Sequence, residues 1–166
     1  KGKISNLIRN EINQRIHGEL AFSKAGLSLF RSFPDLSVWV YDVVVSGADT
    51  FAQTRLFEAR SVQVTLDLFK LLRQGLDGVQ LKKIHLRDPV LRLVSTPSGT
   101  FNYNDLYQTT ADSGEAGSKL EIQLSSIKID QGAFHYYDSA GQVFLSFNHL
   151  VHQSSGHYSG IRGSLL

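Results

Sequence analysis

The chain has 166 residues, of which 42% are hydrophobic and 19% charged, with a formal net charge of +2 and no cysteine. This composition is typical of a folded domain with a sizeable core and argues against a disordered chain. It excludes disulfides and thiolate chemistry, the small scattered charge argues against a nucleic-acid partner, and no run reaches the roughly 18 apolar residues of a membrane span.

The first predicted element is an amphipathic helix over residues 4–16. Its apolar residues recur at spacings of three and four, with polar residues between them: Ile4, Leu7, Ile8, Ile12 and Ile16. Gly18 suits the position after the helix. The stripe indicates a helix that covers the edge or end of a sheet. A helix lying in a membrane interface is the alternative, although the stripe lacks the aromatic residues that such helices favour.

From Leu20 onward the hydrophobic period changes to two, which indicates β-strands. Residues 36–45 are rich in β-branched and aromatic residues, and residues 60–66 alternate strictly, with Val62, Val64 and Leu66 on one face. Residues 67–75 then predict a short helix, with Asp67 as its N-cap and Gly75 at its end.

Two segments of the chain repeat each other. The segment VQLKKIHLRDPVLRLVSTPSGTF begins at Val79, and IQLSSIKIDQGAFHYYDSAGQVF begins 43 positions later at Ile122. A fixed period predicts structural units that stack on their neighbours in one extended sheet. We therefore expect Leu81 and Leu124 to take equivalent places in this sheet.

Strict alternation fails at the same point in each copy. Leu81 and Ile84, like Leu124 and Ile127, are apolar residues three positions apart. A β-bulge absorbs one extra residue and bends the strand. We therefore predict a bulge, bend or strand break at Lys82-Lys83 and at Ser125-Ser126.

Residues that could carry catalysis or bind a metal are sparse. His149 and His152 have the spacing of metal ligands on a helix, but the preceding residues indicate a strand, where such positions face opposite ways. No carboxylate pair, nucleophile motif or phosphate loop is present. Residues 101–107 are predicted to form a turn before an Asn-capped helix. We expect no enzyme, no metal and no cofactor.

An ordered series of motifs resembles the N-terminal region of AsmA-like proteins of the bacterial envelope. It includes Gly-Leu-Ser-Leu-Phe-x-Ser-Phe-Pro at 26–34, Phe-Glu-Ala-Arg-Ser-Val-x-Val-x-Leu-Asp-Leu at 57–68, Ile-x-Leu-Arg-Asp-Pro-Val-Leu-Arg-Leu at 84–93 and Gly-Thr-Phe-Asn-Tyr-Asn-Asp-Leu at 99–106. The resemblance covers about residues 20–106, and the second copy from residue 120 looks like the next repeat.

The resemblance implies a periplasmic protein, anchored in the inner membrane by a helix upstream of Lys1. Its plan is similar to that of bridge-like lipid-transfer proteins, whose curved sheet has an apolar concave face for phospholipid acyl chains. The implied partners are phospholipids, the inner membrane and possible envelope proteins, and the implied role is lipid transport or outer-membrane assembly. The alternative is an interaction module of the envelope with a closed β-sandwich core.

The expected fold is mainly β with short helices: a strongly curved antiparallel meander, or half-barrel groove, in a single continuous domain. Residues 1–18 would form the helix after the anchor, 19–111 the first β unit, 112–118 a linker and 119–166 the start of the next repeat, truncated at its C-terminal end. The residues expected to line the groove are Val38, Val40, Val62, Val64, Leu66, Leu91 and Leu93. The residues expected to close its end lie on the helix: Ile8, Ile12 and Ile16.

Overall fold

The computed structural model describes residues 2–13, 16, 18–30, 32–74, 80–104 and 121–161. Within these residues the protein is mainly β, with one curved sheet in which parallel and antiparallel pairs are mixed. The helices and strands in chain order are α1 (Gly2–Asn13), β1 (Glu19–Ala21), β2 (Lys24–Ser28), β3 (Asp35–Ser46), β4 (Arg55–Asp67), α2 (Leu68–Gln74), β5 (Gln80–Arg87), β6 (Val90–Val94), β7 (Glu121–Asp138) and β8 (Val143–Ile161).

The long antiparallel hairpin of β3 and β4 organises the first half of the sheet. Val38 pairs with Val64 and Val40 with Val62, so the alternating apolar residues of both strands share one face. The outer edge of β3 is occupied by β2 along its first half and by β1 near its end. The other edge of β4 pairs with β5 and, at the end of the sheet nearer the start of β4, with β6.

The expected antiparallel meander is wrong where β7 enters the sheet. Both β5 and β6 pair with β7 in parallel, and β8 then returns antiparallel to β7. Parallel neighbours need a connection of about a dozen residues or more, and residues 95–120 between β6 and β7 supply that length. Hydrophobic alternation has the same period for either strand direction, so it could not distinguish them.

The offset of the sequence repeat equals the register of this parallel pairing. From Lys83 paired with Ser126 to Val94 paired with Tyr137, every partner lies 43 positions later in the chain. Side-chain contacts continue the same offset, since the Ser95 hydroxyl donates to Asp138 Oδ1 at 2.8 Å. The two copies therefore lie side by side.

The register differs at the start of the two copies, and here the expected equivalence of Leu81 and Leu124 is wrong. Leu81 pairs with Ile122, two residues before Leu124, because β7 contains more residues than β5 before Ser126. The predicted irregularities themselves are confirmed: the register shifts around Lys82 in β5 and between Leu124 and Ser126 in β7.

A line of left-handed backbone crosses the sheet, and we call it the bend line. It comprises Asp42 (φ 52°), Asp88 (φ 47°), Gln131 (φ 55°) and His149 (φ 57°) on successive parts of β3, the β5–β6 junction, β7 and β8. Such a residue cannot continue an extended strand, so each strand changes direction there. Across the line the Arg60 guanidinium lies 3.1 Å from the Asp88 carboxylate.

Helix α1 contacts β1 and β2, and α2 contacts β3 and β4. Helix α2 forms where the sequence predicts it, and Asp67 caps it by accepting the Lys70 N–H at 2.9 Å. Helix α1 is described over Gly2–Asn13, while residues 14 and 15 of the expected helix lie outside the described residues. The Asn13 side chain accepts the Leu20 N–H at 2.9 Å. No helix in the described residues is long and apolar enough to cross a membrane.

Candidate functional site

One face of the sheet is apolar from β3 to β7, and we call it the apolar face. Its rows of cross-strand partners run from strand to strand: Val38, Val64, Ile84 and Ile127 in the first row; Val40, Val62, Leu86 and Ile129 in the second; Val45, Phe57, Leu91, Phe134 and Phe147 beyond the bend line. Leu93, Tyr136 and Leu145 form a further row. Side chains in such a row contact one another.

The opposite face is polar and carries ion pairs of the described residues. One row of cross-strand partners on this face runs from β3 to β8 and consists of Trp39, Gln63, His85, Lys128 and Gln153. His85 Nε2 lies 2.7 Å from Asp130 Oδ2, and Lys128 Nζ lies 3.2 Å from the same oxygen. The hydrogen bond from His85 lowers the pKa of Asp130, and Lys128 reinforces it. The sheet therefore has one apolar side and one polar side.

A pocket of about 470 Å³ lies on the apolar face, between α1 and the sheet. All of its lining residues are apolar: Ile12, Ile16, Leu20, Val40, Val43, Val45, Leu56, Phe57, Val62 and Leu91. The pocket adjoins an apolar core cluster in which Leu20, Phe22 and Val43 are buried, and Leu20 and Val43 also line the pocket. The guanidinium of Arg9 lies 4.9 Å from the centre of the Phe22 ring and donates to the Phe22 carbonyl at 3.3 Å.

The residues expected from sequence to line a groove fall into two groups. Val40, Val62 and Leu91 line the pocket together with Ile12 and Ile16 of the α1 segment. The other expected residues lie on the apolar face outside the pocket: Val38, Val64, Leu66 and Leu93. The side chain of Ile8 and the expected linker at 112–118 lie outside what the structure describes.

The apolar face is covered at one end and open at the other within the described part of the chain. Helix α1 contacts β1 and β2, and α2 contacts β3 and β4. Toward β8 the apolar side chains become more accessible, and Phe147 is 51% exposed. All described strands belong to one sheet, so the described residues contain no second sheet of the kind that a closed sandwich requires.

An ion-pair cluster fixes the end of the sheet where β3 begins. Lys82, the bulge residue of β5, places its ammonium 2.5 Å from Asp35 and 3.0 Å from Asp67. The hydrogen bond to Asp35 raises the pKa of Lys82. The Lys70 N–H and Lys82 together lower the pKa of Asp67. The bulge thus bends β5 and supplies the cation that joins β3, β4 and α2.

Asn102 has a structural role that sequence reasoning missed. Its side chain accepts the Val94 N–H at 3.0 Å and donates to the Arg92 carbonyl at 2.8 Å, and only 1% of the residue is exposed. These bonds replace a strand partner for β6 beyond the point where β4 stops pairing with it. Phe101 stacks on Tyr136, with 5.7 Å between ring centres. The aromatic and Asn residues at 101–104 therefore close the sheet edge.

Within the described residues, no group of three or more His, Asp or Glu side chains is placed to hold a metal ion. His149 and His152, which were not expected to bind a metal, lie on β8. His152 Nε2 contacts the Ser154 hydroxyl at 3.1 Å.

No protein-family model, characterised protein or solved structure matches the chain.

Proposed function

We propose that the chain is a non-enzymatic lipid-handling protein whose apolar face forms a β-groove for phospholipid acyl chains. The observation that carries the proposal is the one-sided sheet: apolar rows continue across three to five neighbouring strands, and two of these rows contribute to a pocket that only apolar residues line. Monomeric proteins rarely leave large apolar surfaces exposed unless the surface binds something.

An acyl chain suits this surface because the pocket offers no polar side chain to orient a polar ligand. Burial of each methylene contributes roughly 0.8 kcal/mol, so a chain of ordinary length can be held without any specific polar contact. The polar opposite face, with its ion pairs around Asp130 and Glu58, is suited to contact with water.

The resemblance to AsmA-like proteins supports placing this function in the bacterial periplasm, beside the inner membrane. There the groove would serve lipid transport or outer-membrane assembly. The curved sheet is of the kind that this role requires.

A matched pair of substitutions on β3 tests the proposal. Val45 lines the pocket, whereas Val44 pairs with Glu58 on the other face. Val45→Phe takes up part of the pocket and should reduce the phospholipid that co-purifies with the chain in native mass spectrometry. Val44→Phe adds the same volume to the polar side and should leave the bound lipid unchanged.

Two outcomes of this experiment would contradict the proposal. If neither the wild-type chain nor Val44→Phe carries lipid, or if Val45→Phe carries as much as they do, the pocket does not hold acyl chains. Melting temperatures of both variants show whether each remains folded.

A further inference from the structure

A second apolar surface lies at the end of the sheet where β3 begins and β4 ends, and we call it the end patch. It consists of Leu29, Phe30, Phe33, Phe69 and Leu72. Phe30 is 98% exposed, and Phe33 and Leu72 are each 73% exposed. Large apolar side chains exposed to this extent at one end of a sheet indicate a binding surface.

Two separate elements contribute to the end patch, and the pairing of β3 holds them at the same end of the sheet. The turn between β2 and β3 carries Phe30 and Phe33. It connects Ser28, the last residue of β2, to Asp35, the first residue of β3, and Ser28 pairs with Ser37 at its base. Asp35 pairs with Asp67, and α2 begins at the next residue.

Both elements are anchored at their bases. The Asp35 N–H donates to the Ser32 carbonyl at 2.6 Å, and the Lys82 ammonium joins Asp35 to Asp67. The exposed side chains therefore project from a fixed base.

The exposed stripe of α2 combines apolar and basic residues. Leu72 and Arg73 lie three and four positions after Phe69, so the three residues lie on one side of the helix, and all are exposed. Neither residues 29–34 nor residues 68–74 contain an Asp or Glu. The nearest carboxylates, Asp35 and Asp67, are held by Lys82.

We propose that the end patch docks the protein on a membrane surface that carries anionic headgroups. Exposed aromatic and leucine side chains next to cations are the pattern of interfacial membrane contact, in which the apolar groups enter the headgroup boundary. The inference goes beyond the acyl-chain groove and stands without it, because the end patch and the pocket share no residue.

A bilayer fits this surface better than a folded protein partner does. The patch consists of projecting tips, of which Phe30 is almost wholly exposed. A protein partner needs a complementary concave surface to bury such tips, whereas a fluid bilayer takes up any convex shape. The local excess of positive charge favours anionic lipid.

Flotation of the full chain with vesicles of phosphatidylcholine and phosphatidylglycerol tests the proposal. The wild-type chain should float with these vesicles and bind less to pure phosphatidylcholine. The double variant Phe30→Ser, Leu72→Ser should bind at least about tenfold less, since the transfer of one such side chain changes an equilibrium by about that factor. The pocket variant Val45→Phe should bind vesicles as the wild type does.

The control is Phe144→Ser with Val151→Ser, which removes comparably exposed side chains (65% and 70%) from β8. It should retain vesicle binding. Equal loss in both double variants, or no binding by the wild type, would overturn the proposal. Loss of self-association in the Phe30 and Leu72 variant, seen by sedimentation without vesicles, would assign the patch to a second copy instead.

A reporter variant makes the test independent of loss of function. In Phe30→Trp, the emission of the new tryptophan should shift to shorter wavelength when anionic vesicles are added, because the ring enters the headgroup boundary. An unchanged emission, measured against the wild type with its native Trp39, contradicts membrane insertion.

Discussion

Two substitutions to aspartate on β4 distinguish an open apolar face from a covered one. Val64 lies on the apolar face outside the pocket, between Val38 and Ile84, and is partly exposed. Ala59 lies on the same strand beyond the bend line, paired with the buried Val43, and is 4% exposed. Both changes introduce the same carboxylate.

The expected costs differ because water reaches one site and not the other. Complete burial of a valine side chain contributes roughly 1.5–3 kcal/mol, so the partly exposed Val64 should lose about 1 kcal/mol in Val64→Asp while its carboxylate stays hydrated. At Ala59 a carboxylate without a partner would be buried, and Ala59→Asp should cost about 4 kcal/mol or more.

Urea denaturation at neutral pH, followed by circular dichroism, measures both free energies of unfolding. We expect Val64→Asp to unfold at a slightly lower urea concentration and Ala59→Asp to be largely unfolded without urea. If Val64→Asp were destabilised as severely as Ala59→Asp, the apolar face would be covered in solution, and the reasoning from its exposure would be refuted.

Three further predictions concern contacts that shape the sheet. Asp67→Ala removes the cap of α2 and should lower the free energy of unfolding by about 1 kcal/mol at pH 7. Because contacts in the folded state lower the pKa of Asp67 below its usual 3.8, its stabilisation is present above that pH and lost as the pH falls through the folded value. Urea titrations of the variant and the wild type should therefore converge in acid. Asn102→Ala leaves two backbone groups of β6 unpaired and should lower the free energy of unfolding by about 3 kcal/mol. Calorimetric scans should show a lower melting temperature for this variant and an unchanged one for Asn104→Ala, whose side chain is exposed. Gln131→Val places a β-branched residue at φ 55° and should cost about 1–2 kcal/mol, a loss that Gln131→Gly should not show in the same denaturation assay.

The local elements and irregularities of the sheet could be predicted from the sequence. Alternation of Val62, Val64 and Leu66 indicated β4, and Asp67 indicated the cap of α2. The three-residue steps at Lys82 and Ser125 indicated the bulges, since an extra residue cannot be placed in a strand otherwise. These signals are local, so a single sequence contains them.

The direction of pairing could not be predicted in the same way. The repeat implied that its copies are neighbours, but the side-chain period of a strand is the same in parallel and antiparallel sheets. The equivalence of Leu81 and Leu124 was wrong because the bulges of β5 and β7 differ in length. A sequence alignment counts residues, whereas the sheet pairs hydrogen-bonding positions.

The pocket and the edge closure depend on contacts between distant segments. Leu56 and Val43 line the pocket, but neither belongs to an alternating pattern that distinguishes a pocket from a core. The sequence around Asn102 indicated only a turn. Its hydrogen bonds to β6 could not be predicted, because they depend on where β4 stops pairing with β6. The residues of the β2–β3 turn in the end patch follow no hydrophobic period. Their exposure therefore became evident only from the structure.

Cross-linking with a phospholipid that carries a photoreactive diazirine in its acyl chain tests the central claim most directly. After irradiation and proteolysis, mass spectrometry identifies the labelled residues. We expect labels on the apolar face, at positions such as Val62, Leu86 and Phe134, and few on the polar row that contains Gln63 and His85. Labels distributed equally over both faces, or no label above that of a denatured control, would contradict an acyl-chain groove on this sheet.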